Sequence, residues 1–406
     1  MKCRACNSLK LYKFLDLGCH PPSDQFRRLS QINEPVVFYP LNVVICDECG
    51  LVQLGYIVNP KVLYQEEYPY ESSITETGRK HYFEFAKSVV NRFNLKKDDY
   101  VMDIGSNVGV LLGSFKKIGV KIQGVDPAPN ICDIANDRGI PTCNSFFSKD
   151  FAIDLKREKG EFKVITGTNV FAHIDDWDDL LEGVKELLSK KGVFIIESPH
   201  FLHLLESLEY DTIYHEHLSY ISIEPLVTYF DKHEMEIFRV ENKDIHGGSI
   251  RIFISRKGNF EIDASVPNIL KKERRCQLRD HKTLDRFSEK VKDNRLKLVK
   301  LIHQLKSEGS SIVAVSAPAK GMTLLNYCKI GSESLDYITE KSKLKIDRIS
   351  PSDNIKVVSD DRLLQTKPDF ALLLAWNFSD EIIANLHEYT AQGGKFIIPI
   401  PEPTIV

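Results

Sequence analysis

The sequence predicts an α/β protein, with a small cysteine-bearing module followed by two domains built on largely parallel sheets. Three observations predict it. Two C-x-x-C pairs, Cys3–Cys6 and Cys46–Cys49, stand near the start of the chain. A strand–glycine turn–helix–strand–acid order runs from Tyr100 to Asp126, which is how an open parallel sheet holds a nucleoside at its carboxyl edge. Strands then keep alternating with helices, and a second glycine turn stands near Lys320; that alternation marks doubly wound sheets.

Length and charge bound what such a chain does. Its 406 residues exceed one ordinary core, so two or three domains are expected. A net charge of −3 supplies no general attraction to nucleic acid or to an anionic membrane. No apolar run approaches the roughly 18 residues of a membrane span, and the opening Met-Lys-Cys-Arg-Ala-Cys carries no signal-peptide apolar region. The nine cysteines therefore read as reduced thiols, and a cytoplasmic monomer without nucleic-acid or membrane partners is expected.

In chain order, Cys3-Arg-Ala-Cys6 and Cys46-Asp-Glu-Cys49 each present two thiolates, and together they complete a four-sulfur tetrahedral shell. Such a shell suits a structural zinc ion with no open position. A strand over 41–45 leads into the second pair. The prolines around it (Pro21, Pro22, Pro35, Pro40) mark a loop-rich module whose core is too small to fold without the ion. A tyrosine-rich connector follows (Tyr64, Tyr68, Tyr70, with Ser72 and Ser73), then a helix over 81–93. The tyrosines line a pocket or stitch the module to the next domain.

The turn Asp103-Ile-Gly-Ser-Asn-Val-Gly109 follows a strand over 100–104 and opens a helix over 110–117. Gly105 and Gly109 let backbone approach a ligand. The acid Asp126, followed by Pro127, is placed to accept ribose hydroxyls. Asn107 stands where the dinucleotide fingerprint has its central glycine, so the turn suits a nucleoside without a pyrophosphate, which points to S-adenosylmethionine rather than NAD. Asp103, Ser106, Phe146, Phe147 and Asn169 complete the candidate cofactor set. Strands over 162–166 and 192–197 end at Asn169, His173 and Glu197, at the sheet edge where functional groups gather.

Tyr214-His215-Glu216-His217 follows. It is not H-E-x-x-H, so a helical two-histidine zinc site does not apply; it offers instead an imidazole base beside a carboxylate, or a polar loop. His246-Gly-Gly-Ser249 brings another histidine beside a strand over 250–254. Residues 266–307 form one or two linking helices, and strands over 311–316, 334–339, 355–358, 369–376 and 395–400 build the second sheet. Its turn Ala317-Pro-Ala-Lys-Gly321 is not a Walker loop, although Lys320 and backbone N–H groups could hold a phosphate there.

Taken in order, these segments resemble the sugar C-methyltransferase family, enzymes that use S-adenosylmethionine to methylate C-3 of nucleotide-linked 4-keto-deoxysugars. The resemblance is carried by the paired C-x-x-C with Cys49-Gly-Leu-Val-Gln-Leu54, Tyr70-Glu-Ser-Ser73, the Asp103–Gly109 turn, Gly124-Val-Asp-Pro127, Tyr214-His-Glu-His217, His246-Gly-Gly-Ser249, Ala319–Cys328, Leu374-Ala-Trp-Asn377 and Gly393-Gly-Lys-Phe396. Thr339–Lys343 and Ser350–Ser352 depart from the family's pattern in the region expected to meet the nucleotide-sugar. The resemblance implies a zinc module (1–65), a Rossmann-like class I methyltransferase domain (66–262) and a smaller C-terminal α/β domain that helps hold the nucleotide-sugar (263–406). It implies His217 as catalytic base, with Tyr214 and Glu216 beside it, and it raises Tyr70 and His173 to pocket candidates. On this reading Glu216 orients His217, and Ser72, His246 and Lys320 join the expected substrate pocket. Methylation of oxygen or nitrogen, or a non-enzymatic zinc-ribbon protein, are the alternatives.

Overall fold

A computed structural model describes residues 1–64, 68–69, 71–72, 76–245 and 247–406. Its central sheet has seven strands in the order Met235–Lys243, Ser249–Arg256, Leu188–Pro199, Phe162–Thr168, Tyr100–Ile104, Lys121–Asp126 and Thr142–Asn144. The last five are parallel, and an antiparallel hairpin closes the other edge. Tyr100–Ile104 lies inside the sheet. Val101 packs into the core on one face, Met102 and Ile104 into the core on the other, as a two-residue period requires. From this strand the chain first builds outward to Thr142–Asn144, then returns to build Phe162–Thr168 on the opposite flank. The carboxyl ends of those two adjacent strands are therefore the switch point at which an open sheet opens a crevice.

Glu197, a strand-end residue among the functional candidates, is spent on structure. Its carboxylate accepts Arg251 Nε at 2.7 Å and pairs with His81 Nε2 at 2.5 Å, while the Arg251 guanidinium lies 3.5 Å over the Phe85 ring. Burial pushes the Glu197 carboxyl up, but His81 and Arg251 together hold it below its ordinary value. A buried pair of this kind is satisfied only with both partners in place.

The N-terminal sheet runs Leu11–His20, Tyr39–Cys46, Val52–Leu54, and takes its fourth strand, Ser219–Tyr220, from the segment just after the histidine cluster. The C-terminal sheet is ordered Val357–Ser359, Ile338–Glu340, Ile312–Val315, Phe370–Leu373, Lys395–Ile398, Thr404–Ile405, parallel except for the last strand. Helices Ser265–Arg275 and His281–Ser307 make the expected linker. The longer one seats Leu284, Phe287 and Val291 against Phe14 and Leu15 of the N-terminal sheet, in one core that continues to Ala314 and Leu372. The N-terminal module does not rest on its own small core; it borrows one. A two-residue ladder, Arg27–Arg28 against Arg348–Ile349, ties the same two ends of the chain together. Among the described residues no helix is long and apolar enough to cross a membrane.

Several elements differ from expectation. Leu11–His20, helix Lys149–Lys159 and helix Ile223–Lys232 were not legible. The strands expected over 334–339 and 369–376 shrink to Ile338–Glu340 and Phe370–Leu373. At the second of these the chain leaves the sheet for a short turn, Trp376–Phe378, whose Trp376 indole N–H donates to buried Asp211 at 2.7 Å.

Candidate active site

The crevice at the switch point is a cavity of about 350 Å³ lined by Asp103, Gly105, Ser106, Asn107, Asp126, Pro127, Phe146, Phe147 and Asn169. The glycine turn is shaped by its backbone. Gly105 and Asn107 sit at φ +64° and +49°, and asparagine is among the few non-glycine residues that tolerate this left-handed region. Asp126 Oδ2 accepts the Asn107 N–H at 2.9 Å and Oδ1 accepts Ala128 N–H at 3.0 Å, so the acid clamps the turn while facing the cavity. Burial raises Asp126, and the two N–H donors oppose the shift. Asp103, farther in, takes a 2.6 Å hydrogen bond from Thr166 Oγ1 and is pushed up to about 7 by burial.

Two expectations change here. Gly109 is not in the cavity wall: it stands at φ +76° as the cap of helix Val110–Ile118, and a Cβ there would lie 2.6 Å from Ile140. Its role is helix packing, not ligand approach. At Gly105 too the nearest obstacle to a Cβ is protein, Val170 at 2.6 Å. Ser72, expected on the substrate side, lines this same cavity and donates its N–H to Asn107 Oδ1 at 2.8 Å. The cavity fits a nucleoside-bearing cofactor by its loose ends: Ser106 Oγ and Asn169 Oδ1 are buried there without a hydrogen-bond partner among the described residues.

Adjoining it is a second pocket of about 300 Å³, walled by all three modules: Asp24 from the first, Asn169, His173, Tyr214, Glu216 and His217 from the centre, and Lys320 and Lys345 from the last. Asn169 and His173 line both cavities. His217 Nδ1 faces the Thr212 carbonyl at 2.7 Å, an acceptor only, so Nδ1 carries a proton and, in the neutral ring, Nε2 has the lone pair. Tyr214 Oη lies 2.7 Å from that Nε2. The His173 ring is centred 5.0 Å from that of His217. Burial, and then His217, push His173 well below its ordinary value, so it is neutral.

Glu216 does not orient His217. That task belongs to the Thr212 carbonyl, because Glu216 turns instead toward Tyr68, whose hydroxyl donates to Oε2 at 2.9 Å. Burial, then the neighbouring charge of Asp24, raises Glu216 to about 8. Asp24 is itself paired with buried Lys345 at 2.9 Å. His215 points away, with Nε2 3.3 Å from the Tyr39 and Pro40 carbonyls of the N-terminal sheet. Lys320 reaches the pocket but is engaged: it lies 3.4 Å from Asp211, 3.3 Å from Asn377 Oδ1 and 4.2 Å over the Trp376 ring. Tyr70 and His246 lie outside the described residues. Thr212, Asp24 and Lys345 are among the pocket groups that sequence reasoning missed; Tyr68, left open in the tyrosine-rich connector between a pocket and a linking role, lines the pocket.

At the N-terminus the Sγ atoms of Cys3, Cys6, Cys46 and Cys49 lie within 4.8 Å of one another. The Cys3–Cys49 and Cys6–Cys46 pairs are each 3.5 Å apart. All-sulfur donors at this spacing fit a closed tetrahedral zinc shell.

Three family models match the chain in succession: a zinc binding domain over 3–64, a methyltransferase domain over 79–239, and a C-methyltransferase C-terminal domain over 244–401. The C-methyltransferase NovU of Streptomyces niveus is 32% identical over 406 residues, which is all of this chain and 96% of that protein. The chain belongs to the C-methyltransferase family. It is an S-adenosylmethionine-dependent C-methyltransferase with a zinc-binding module. Among solved structures, an S-adenosylmethionine-dependent methyltransferase from Clostridium acetobutylicum is 17% identical, covering 44% of this C-methyltransferase and 92% of that chain with a TM-score of 0.37. Magnesium protoporphyrin IX methyltransferase from Synechocystis is 13% identical, covering 46% and 90% with a TM-score of 0.35.

Proposed function

We propose that this enzyme methylates C-3 of a nucleotide-linked 4-keto-6-deoxy sugar, by histidine-catalysed deprotonation through an enolate, in the biosynthesis of a branched deoxysugar. The observation that carries the reading is the setting of His217. Its Nδ1 proton is held by the Thr212 carbonyl, its Nε2 meets the Tyr214 hydroxyl, and the pocket that His217 and Tyr214 line shares Asn169 and His173 with the cofactor cavity. The sugar and its nucleotide come from the sequence resemblance, and a carbon acid is the substrate that needs such a base.

A ketone at C-4 acidifies the C-3 proton, which passes to His217 Nε2 once Tyr214 yields its place there. The developing enolate oxygen needs a donor that does not reorganise. Glu216 fills that role: raised to about 8, it keeps its proton at neutral pH, and Tyr68 occupies only one of its oxygens. Tyr214, released from Nε2, is the second donor. S-adenosylmethionine, when bound, supplies an electrophilic methyl group; Asp126, Asn169, Ser106 and the turn backbone would hold it, in the cavity that Phe146 and Phe147 also line. The protein's own contribution is alignment and the exclusion of water. In this reading the modules 1–65, 66–262 and 263–406 each supply one wall of the substrate pocket.

The test is proton exchange. Incubated in D2O with a 4-keto-6-deoxy nucleotide sugar and no cofactor, the enzyme should exchange deuterium into C-3 only. Methyl transfer to a sugar hydroxyl with no C-3 exchange would replace this reading by O-methylation. A screen of 4-keto-6-deoxy and 2,6-dideoxy nucleotide sugars with labelled cofactor then identifies the substrate.

A further inference from the structure

Beside the two pockets lies a larger, polar cavity of about 820 Å³ between the N-terminal module and its neighbours. It opens into both: Asp24, Tyr68 and Pro69 are shared with the substrate pocket, Tyr64, Tyr68 and Phe146 with the cofactor cavity. Among the described residues its wall carries Arg27, Arg28, Lys61 and Arg348 against two acids, Asp24 and Glu34. Asp24 is already neutralised by Lys345, and Glu34 takes the Gln31 amide. The arginines are gathered by the two-residue ladder, which sets Arg28 across from Arg348 and Arg27 across from Ile349.

Arg27 is the anomaly. Its side chain is buried, 8% exposed, yet among the described residues it meets no carboxylate. Nη1 donates to the Gln31 and Glu34 carbonyls, Nη2 to Asn354 Oδ1 at 2.5 Å, and Nε is buried with no partner. A guanidinium removed from water with only neutral acceptors leaves its charge uncompensated. Arginine's fork also matches phosphate oxygens. Lys320, the sequence's candidate for a phosphate, is by contrast occupied by Asp211.

We infer that this cavity, and not the glycine turn at Lys320, binds the diphosphate of the substrate, with Arg27 and Arg348 as the phosphate-binding residues. The inference rests on the nucleotide-sugar reading above and adds to it where the nucleoside diphosphate lies. It also gives the zinc module a task beyond stability, since the module carries Arg27.

The experiment is calorimetry on the full zinc-loaded chain with inorganic pyrophosphate and with thymidine, uridine and guanosine diphosphates. At least one nucleotide should bind and compete with pyrophosphate. Arg27→Gln and Arg348→Gln should each weaken both probes by about tenfold or more, and by more than Lys320→Gln does. S-adenosylmethionine affinity and melting temperature serve as controls for folding, and Arg348→Gln decides the matter if Arg27→Gln does not fold. Unchanged affinity in the foldable arginine variants, loss confined to Lys320→Gln, or no binding of any probe to wild type would overturn the inference. Pyrophosphate binding that depends on Arg27, with no nucleoside diphosphate bound, would uphold the anion site and remove the nucleotide-sugar reading instead.

Discussion

The cofactor cavity and the substrate pocket touch through Asn169 and His173, yet they are built differently. The first is made mainly by one sheet edge, at and just past the ends of Tyr100–Ile104, Lys121–Asp126, Thr142–Asn144 and Phe162–Thr168, with Pro60, Tyr64, Tyr68 and Ser72 added from the chain before it. The second needs Asp24, Glu216 and Lys345, residues from three modules brought together by a borrowed strand, a two-residue ladder and a long helix. A site made by one sheet should survive damage elsewhere. A site made by assembly should not.

The largest effect should come from His217→Ala: turnover falls by about 100-fold to 10,000-fold, the worth of a general base, while calorimetry finds S-adenosylmethionine affinity unchanged. Retained turnover would take the base role from His217. Next, Cys46→Ser should cost the zinc, read by metal analysis, and with it the first module's wall of the substrate pocket. Substrate KM should rise steeply while cofactor affinity stays within about twofold, because the closed metal shell holds one module and not the central sheet. Equal loss at both sites would break the comparison. Asp126→Ala should do the reverse, weakening S-adenosylmethionine by about tenfold, the scale of a charge-assisted hydrogen bond, and sparing cofactor-free exchange at C-3.

The smallest effect is a pH slope. Glu216 is raised to about 8, so the folded chain holds a proton that the unfolded chain has released above the ordinary glutamate range, near 4.5. The folded state then binds more protons between those values, and stability falls as pH rises through that window. Glu216→Gln should flatten the slope of melting temperature between about pH 5 and 8 and slow turnover. An unchanged slope would show that Glu216 ionises normally.

The glycine turn, Asp126 and the four cysteines were legible because each is a local pattern: a turn and the strands beside it, or paired thiols at fixed spacing. Even there the reasons shifted, since Gly109 answers to Ile140 and not to a ligand. The partner of His217 was not legible. Sequence adjacency suggested Glu216, but in an irregular segment neighbouring side chains diverge, and the ring is met by the Thr212 backbone, which no residue type announces. Strand Leu11–His20 was missed because its partners lie outside the local window: the next strand of its sheet is Tyr39–Cys46, and its core comes from helix His281–Ser307.

The sequence by itself determined the α/β class, the thiol cluster, the glycine turn and acid at the sheet edge, and the histidine segment, since each depends on spacing within one stretch of chain. Only the tertiary structure decided that Glu216 is buried against Tyr68 and Asp24, that Lys320 is held by Asp211, and that Arg27 meets no carboxylate among the described residues. Whether a charged side chain is free, neutralised or protonated depends on what distant segments bring within a few ångströms of it, and on how much water they remove.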